Sequence, residues 1–146
     1  MKLEQFLPYR LAVVAEAVSR SLAAVYAERF DLTRDEWRVL AQLAEVEQIK
    51  TTQLAARTTL DKMQVSRAVT RLERDGLIER RTDEADRRNL VLRILPAGRA
   101  LHRKIVPMAQ ARERFLLEAL SADEQAALDR ALDKLLAQAR QLQAQG

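Results

Sequence analysis

Between positions 63 and 74 of this 146-residue chain stand the side chains best suited to chemistry on a polyanion. Met63, Gln64, Arg67, Thr70, Arg71 and Arg74 fall on one side of a helix if each residue advances by about 100°. Long cations and amides on such a face can reach into a DNA groove. A second group, Arg87 and Arg88, lies in the polar run Thr82–Arg88, where an arginine at a loop tip can enter a minor groove. Catalysis finds no comparable set. His102 is the single imidazole, in a helical pattern with no paired nucleophile, so no catalytic residue is expected. The chain has no cysteine, which excludes disulfides, thiolate metal sites and thiol redox sensing. No metal site and no cofactor is expected.

The elements that must hold these residues can be read from local signals. In Asp61–Gly76, DKMQVSRAVTRLERDG, the residues Val65, Ala68, Val69 and Leu72 form a narrow apolar stripe that belongs in a core. Asp61 and Gln64 form a variant of the capping box at its start, and Gly76 supplies the left-handed residue that ends it. Upstream, Thr33-Arg34-Asp35-Glu36 is a second capping box, opening a helix with Trp37, Leu40, Leu43 and Ala44 inside. Glu47–Lys50 is expected to be a polar connection, and a short helix with Leu54 and Ala55 inside follows from about Thr52. This succession has the spacing of a helix-turn-helix. After Gly76, residues 77–81 and 89–95 read as two strands joined by the polar loop, a two-stranded β-wing.

Charge agrees with this placement. Residues 1–49 carry a net −2, residues 50–103 a net +6 and residues 104–146 a net 0. The excess positive charge surrounds the basic helix, as a face for double-stranded DNA requires. No apolar run approaches the roughly 18 residues of a membrane span, so no membrane role and a cytoplasmic location are expected. Long helices flank the lobe. Leu7, Leu11, Val14, Val18, Leu22 and Val25 line a helix from Leu7 to Phe30, broken by Asp31-Leu32. A fifth helix should run from about Ala97 toward Leu120, with Pro107 bending or dividing it. A third capping box, Ser121–Glu124, opens a last helix lined by Leu128, Leu132, Leu135, Ala139 and Leu142. These stripes exceed what the small lobe can cover, so a homodimer sharing the chain ends is expected.

The order of three helices, DKMQVSRAVTRLERDGLIERR, DEADRRNLVLRILPAGRAL and two long helices closely resembles the MarR family of bacterial transcription regulators over nearly the whole chain. The most specific pieces are the helix running into Gly76-Leu77-Ile78, the Asp86-Arg87-Arg88 motif, and Pro96-Ala97-Gly98-Arg99. The resemblance implies a mainly α (α+β) winged helix-turn-helix with long N- and C-terminal dimerisation helices. Its DNA-binding lobe would be 33–95, with 1–32 and 96–146 as dimerisation segments of a single 1–146 subunit. It implies that Gln64, Ser66 and Arg67 meet base edges, Thr70 and Arg71 the backbone, and Arg88 the minor groove, with Asp86 orienting the wing arginines. Leu95 departs from the family's usual threonine, a lost cap of about 1 kcal/mol. The implied function is a non-enzymatic repressor on a pseudo-palindromic operator, released by a small-molecule effector such as an aromatic acid or its coenzyme A thioester. Tyr9, Arg10, Tyr26, Trp37 and Arg38, the aromatic and cationic residues of the first two helices, are the pocket candidates. The competing reading is a helical interaction protein with an acidic partner, which gives no reason for a wing tipped with arginines.

Overall fold

Helices start where a side chain can satisfy the free N–H groups of the first turn. In the computed structural model, which describes residues 1–146, the helices are α1 (Leu7–Ala23), α2 (Arg34–Ala44), α3 (Thr51–Arg57), α4 (Lys62–Arg74), α5 (Pro96–Leu117) and α6 (Ala122–Gln145). The strands are β1 (Ile49–Lys50), β2 (Ile78–Thr82) and β3 (Leu90–Ile94). All three capping boxes form. Thr33, Asp61 and Ser121 accept the N–H of Glu36, Gln64 and Glu124, and each of those side chains accepts the N–H of its cap residue in return. Gly76 ends α4 at φ 75°. Its N–H bonds the Glu73 carbonyl at 3.0 Å while the Leu77 N–H reaches back to Leu72 at 3.0 Å, the paired closure that a left-handed residue permits.

Three expectations need correction. The expected wing strands form as the antiparallel pair β2 and β3, but β1 joins them in a three-stranded sheet of order β1-β3-β2, so Glu47–Lys50 is not simply a connection. Ile49 is buried and pairs with Leu92, covering the free edge of β3. Two residues are too few to show an alternating pattern. The first helix is not α-helical to its end, because Ala24–Glu28 form a π-helical turn that carries the buried Val25 and Tyr26. The wider turn inserts a residue into the helical repeat, which no side-chain pattern announced. Asp31, at φ 54°, then stops the helix. Finally, of the two outcomes expected at Pro107, division does not occur: α5 runs through it as one helix, at the loss of one backbone hydrogen bond.

The chain separates into two compact units, Met1–Ala109 and Gln110–Gly146. The first contains the whole buried core, from Val25 to Ile105, with Val39, Leu40, Leu43, Leu54, Leu72 and Leu92 almost fully enclosed. Here α5 begins close against the residue that leads into the wing. A methyl group on Gly98 would clash with the Leu77 carbonyl oxygen, which also accepts the Leu95 N–H at 2.9 Å. The second unit is the end of α5 and α6. None of the α6 residues is buried, and Leu128, Leu132 and Leu135 form an exposed apolar row. α1 is alike in having no buried residue.

Candidate nucleic-acid interface

Four apolar side chains of α4, Val65, Ala68, Val69 and Leu72, are buried, as the stripe requires. They turn Met63, Ser66, Arg67, Thr70 and Arg74 outward as exposed residues, with Gln64 half-buried. Arg67 makes no ion pair, and Arg74 contacts only its neighbour Asp75, at 3.5 Å. Gln64 is less free than its position suggests. Its Oε1 accepts the Asp61 N–H at 2.9 Å, so the capping bond holds the amide along the first turn and leaves its NH2 group to donate.

Arg71 stands apart from the others. Its guanidinium lies 3.3 Å from Asp31 Oδ2 and 3.6 Å from Glu36 Oε2, and the Glu36 side chain is only 5% exposed. The structure therefore aligns Gln64, Ser66, Arg67, Thr70 and Arg74 on one outward face and draws Arg71 toward acidic partners beside it.

The wing tip is built around Asp86. One carboxylate oxygen accepts the Arg88 backbone N–H at 3.1 Å and its Nε–H at 3.2 Å, and the other accepts the Asn89 amide at 3.2 Å. Asp86 thus holds Arg88, one of the two arginines the motif assigned to it, and Arg87 projects as a second exposed arginine. Asp83 closes the loop's other side. The Ala85 N–H, at 3.0 Å, holds its carboxyl below the usual carboxylate range against partial desolvation, with help from Lys50 at 3.4 Å. That ion pair ties β1 to the wing.

Between α3, α4 and the wing lies an open cleft of 440 Å3 whose lining includes Thr51, Thr52, Lys62, Ser66, Arg80 and Arg88. Sequence reasoning missed Thr51, Thr52, Lys62 and Arg80. Lys62 carried a signal, being the first helical residue after the Asp61 cap; the others come together only through the sheet.

The proposed pocket residues separate into three groups. Tyr26, Trp37 and His102 form a continuous stack, with ring centroids 6.1 Å and 5.7 Å apart and interplanar angles of 12° and 20°. Burial pushes the His102 imidazole below its usual range, opposed by Glu45 and assisted by Arg99. Tyr26 borders a cleft that also holds Arg20 and Arg34. Trp37 borders another, with Arg38 and Arg57, where Arg38 donates to Thr59 Oγ1 at 2.6 Å. Tyr9 and Arg10 lie on the exposed start of α1 and line neither cleft.

A sequence model of the MarR family matches residues 32–90, the segment from α2 to the start of β3. A probable transcriptional regulator from Pseudomonas aeruginosa shares 30% identity, with 89% of this chain and 99% of that chain covered and a TM-score of 0.73. The chain belongs to the MarR family. A solved structure of a mutant Escherichia coli MarR complexed with operator DNA is 25% identical, covers 89% of this chain and 93% of that chain, and superimposes with a TM-score of 0.80. The homoprotocatechuate degradative operon repressor of Escherichia coli is 27% identical over 110 residues, 75% of this chain and 74% of that protein. This MarR-family chain is a DNA-binding transcriptional regulator and not an enzyme. No helix is long and apolar enough to cross a membrane.

Proposed function

We propose that this MarR-family regulator is a repressor that covers a pseudo-palindromic operator as a homodimer and leaves it when a small aromatic acid, or its coenzyme A thioester, binds. The observation that carries the reading is the outward face of α4. Gln64, Ser66 and Arg67 read base edges, while Thr70 and Arg74 approach phosphates, and Arg88, held by Asp86 with Arg87 beside it, enters the minor groove. Residues 33–95 act as the DNA-binding lobe. The segments 1–32 and 96–146 act as the dimerisation arms, whose exposed rows of Leu7, Leu11, Val14 and of Leu128, Leu132, Leu135 are too apolar to remain in water. A two-fold dimer presents two recognition helices about 34 Å apart, one DNA turn. Repression fits the named role of the homoprotocatechuate operon repressor, and operator binding fits the DNA complex of the Escherichia coli relative.

The effector reading rests on aromatic rings beside cations. Tyr26 with Arg20 and Arg34, or Trp37 with Arg38 and Arg57, offers a stacking surface and a carboxylate partner. A bound acid releases DNA only to the extent that it prefers the form of the dimer unable to match the groove repeat. The protein works in the cytoplasm, where its operator is.

The deciding experiment is fluorescence anisotropy of the purified protein against its own upstream intergenic DNA and random duplex, with aromatic acids and their thioesters added. Tight, salt-sensitive, sequence-selective binding that one compound abolishes is expected. Equal affinity for both duplexes would overturn operator recognition.

A further inference from the structure

Apolar burial seats α4 but does not by itself set its rotation about its own axis. The stripe Val65, Ala68, Val69 and Leu72 is narrow, and hydrophobic attraction has no direction. A modest roll would carry the tip of Arg67 away from any base edge while leaving the stripe buried. Directional contacts are needed, and α4 has them on two sides: Glu73 pairs with Arg80 of β2 at 3.1 Å, and Arg71 makes contacts on the side facing the α1–α2 junction.

Arg67 and Arg71 are one helical turn apart and border the same groove, together with Thr33, Glu36 and Gln64. Their surroundings differ. Arg67 is exposed and unpaired, whereas the Arg71 side chain is 36% exposed and contacts Asp31 at 3.3 Å and Glu36 at 3.6 Å. Glu36 is buried and already engaged, its Oε2 accepting the Thr33 hydroxyl at 2.9 Å and its Oε1 facing the Thr33 N–H at 3.4 Å. Asp31 is the left-handed residue that ends the first helix. Three elements therefore meet on one guanidinium: the end of the N-terminal helix, the first turn of α2 and the third turn of α4. A planar fork accepts only a narrow set of orientations, and of the two carboxylates it is Glu36, 5% exposed, that is held in place, whereas the Asp31 side chain is 95% exposed and its pair is correspondingly weak.

We infer that Arg71 is a positioning residue, whose pairing with Glu36 and Asp31 sets the roll of α4 and so the aim of Arg67 and Gln64 at the bases, rather than a phosphate contact. This rests on the proposed operator recognition and deepens it. The same contacts make the α1–α2 junction the place where movement of the first helix is felt by the reading helix.

The test is anisotropy of the full chain on a duplex selected from a random pool and on random-sequence duplex, over a series of salt concentrations. The variants are Arg71→Gln, Arg71→Lys, Glu36→Gln, Asp31→Asn and the Arg71→Gln/Glu36→Gln double. Glutamine at 36 can still serve in the capping box and asparagine tolerates the left-handed conformation at 31, so neither removes a local structural role; thermal unfolding by circular dichroism verifies this. A positioning role predicts that Arg71→Gln, Arg71→Lys and Glu36→Gln each weaken selected-site binding about tenfold, with the double no worse than either single. Asp31→Asn follows in the same direction, and the salt dependence is unchanged. A phosphate contact predicts instead that Arg71→Gln lowers the salt slope by about one, that Arg71→Lys is tolerated and that Glu36→Gln leaves selected-site affinity intact; that result overturns the inference. Failure of the wild-type protein to select any sequence would instead overturn operator recognition itself.

Discussion

The winged lobe and the terminal helices solve the burial problem in opposite ways. In the lobe, α2, α3, α4 and the sheet enclose Leu40, Leu43, Leu54, Val69, Leu72, Ile78 and Leu92 to 1% exposure or less. α1 and α6 bury nothing, although α1 carries a regular row of leucines and valines and α6 one of leucines. The lobe reaches a closed core within one chain, whereas the terminal helices leave an apolar face uncovered. In the proposed dimer the difference separates reading from assembly: the lobe holds the outward arginines, and the arms would set how many lobes act together.

Breaking the assembly should have the largest effect. The double substitution Leu132→Glu/Leu135→Glu places carboxylates in the exposed row of α6, and should weaken dimerisation on the order of a hundredfold or more, since an unpaired charge resists burial strongly. Light scattering and a loss of operator affinity in parallel would show it; an unchanged mass would leave α6 outside the interface. Next comes the lobe core. Leu72→Ala should cost about 2–5 kcal/mol of stability, read from denaturant midpoints, with no change in oligomeric mass.

Smaller effects sharpen the division within the lobe. Arg67→Ala should reduce affinity for the operator by about 1–3 kcal/mol while affinity for random duplex falls far less; equal losses would remove Arg67 from base reading. Arg88→Ala should weaken operator binding, flatten its salt dependence by about one and leave the dimer intact. An unchanged dissociation constant would mean that the wing tip does not reach DNA. The smallest effect concerns His102, whose imidazole is held below its usual range mainly by burial. The unfolded chain then takes up a proton at higher pH than the folded chain, so this group's contribution is present above the ordinary histidine range and lost as pH falls through it. His102→Gln should flatten that part of the stability–pH curve, measured by thermal unfolding.

What proved legible was what neighbours in sequence decide. The capping boxes at Thr33, Asp61 and Ser121 each join residues three apart, and Gly76 acts within one turn, so their chemistry is complete before any tertiary contact forms. The α4 stripe was legible for the same reason, because helical period alone separates Val65, Ala68, Val69 and Leu72 from Arg67 and Arg74. Asp86 holding Arg88 spans two residues and followed from the motif. Gln64 was half-legible. One reading placed it in a cap and another at the bases, and the structure shows the cap bond already made.

The remaining features belong to contacts between distant parts of the chain. By itself the sequence determined the helix starts, the turn that ends the reading helix, the two faces of that helix and the basic middle third, since period and local hydrogen bonding need no partner. Only the tertiary structure decided that Ile49 would cap the sheet edge against Leu92, and that Tyr26, Trp37 and His102 would stack. It likewise decided that Arg71 would pair with Glu36 and Asp31. An arginine on a helix surface can face solvent, phosphate or a carboxylate with little difference in local energy. The choice fell to a carboxylate 40 residues away and to one buried beside it, and their positions exist only once α2 has packed against α4.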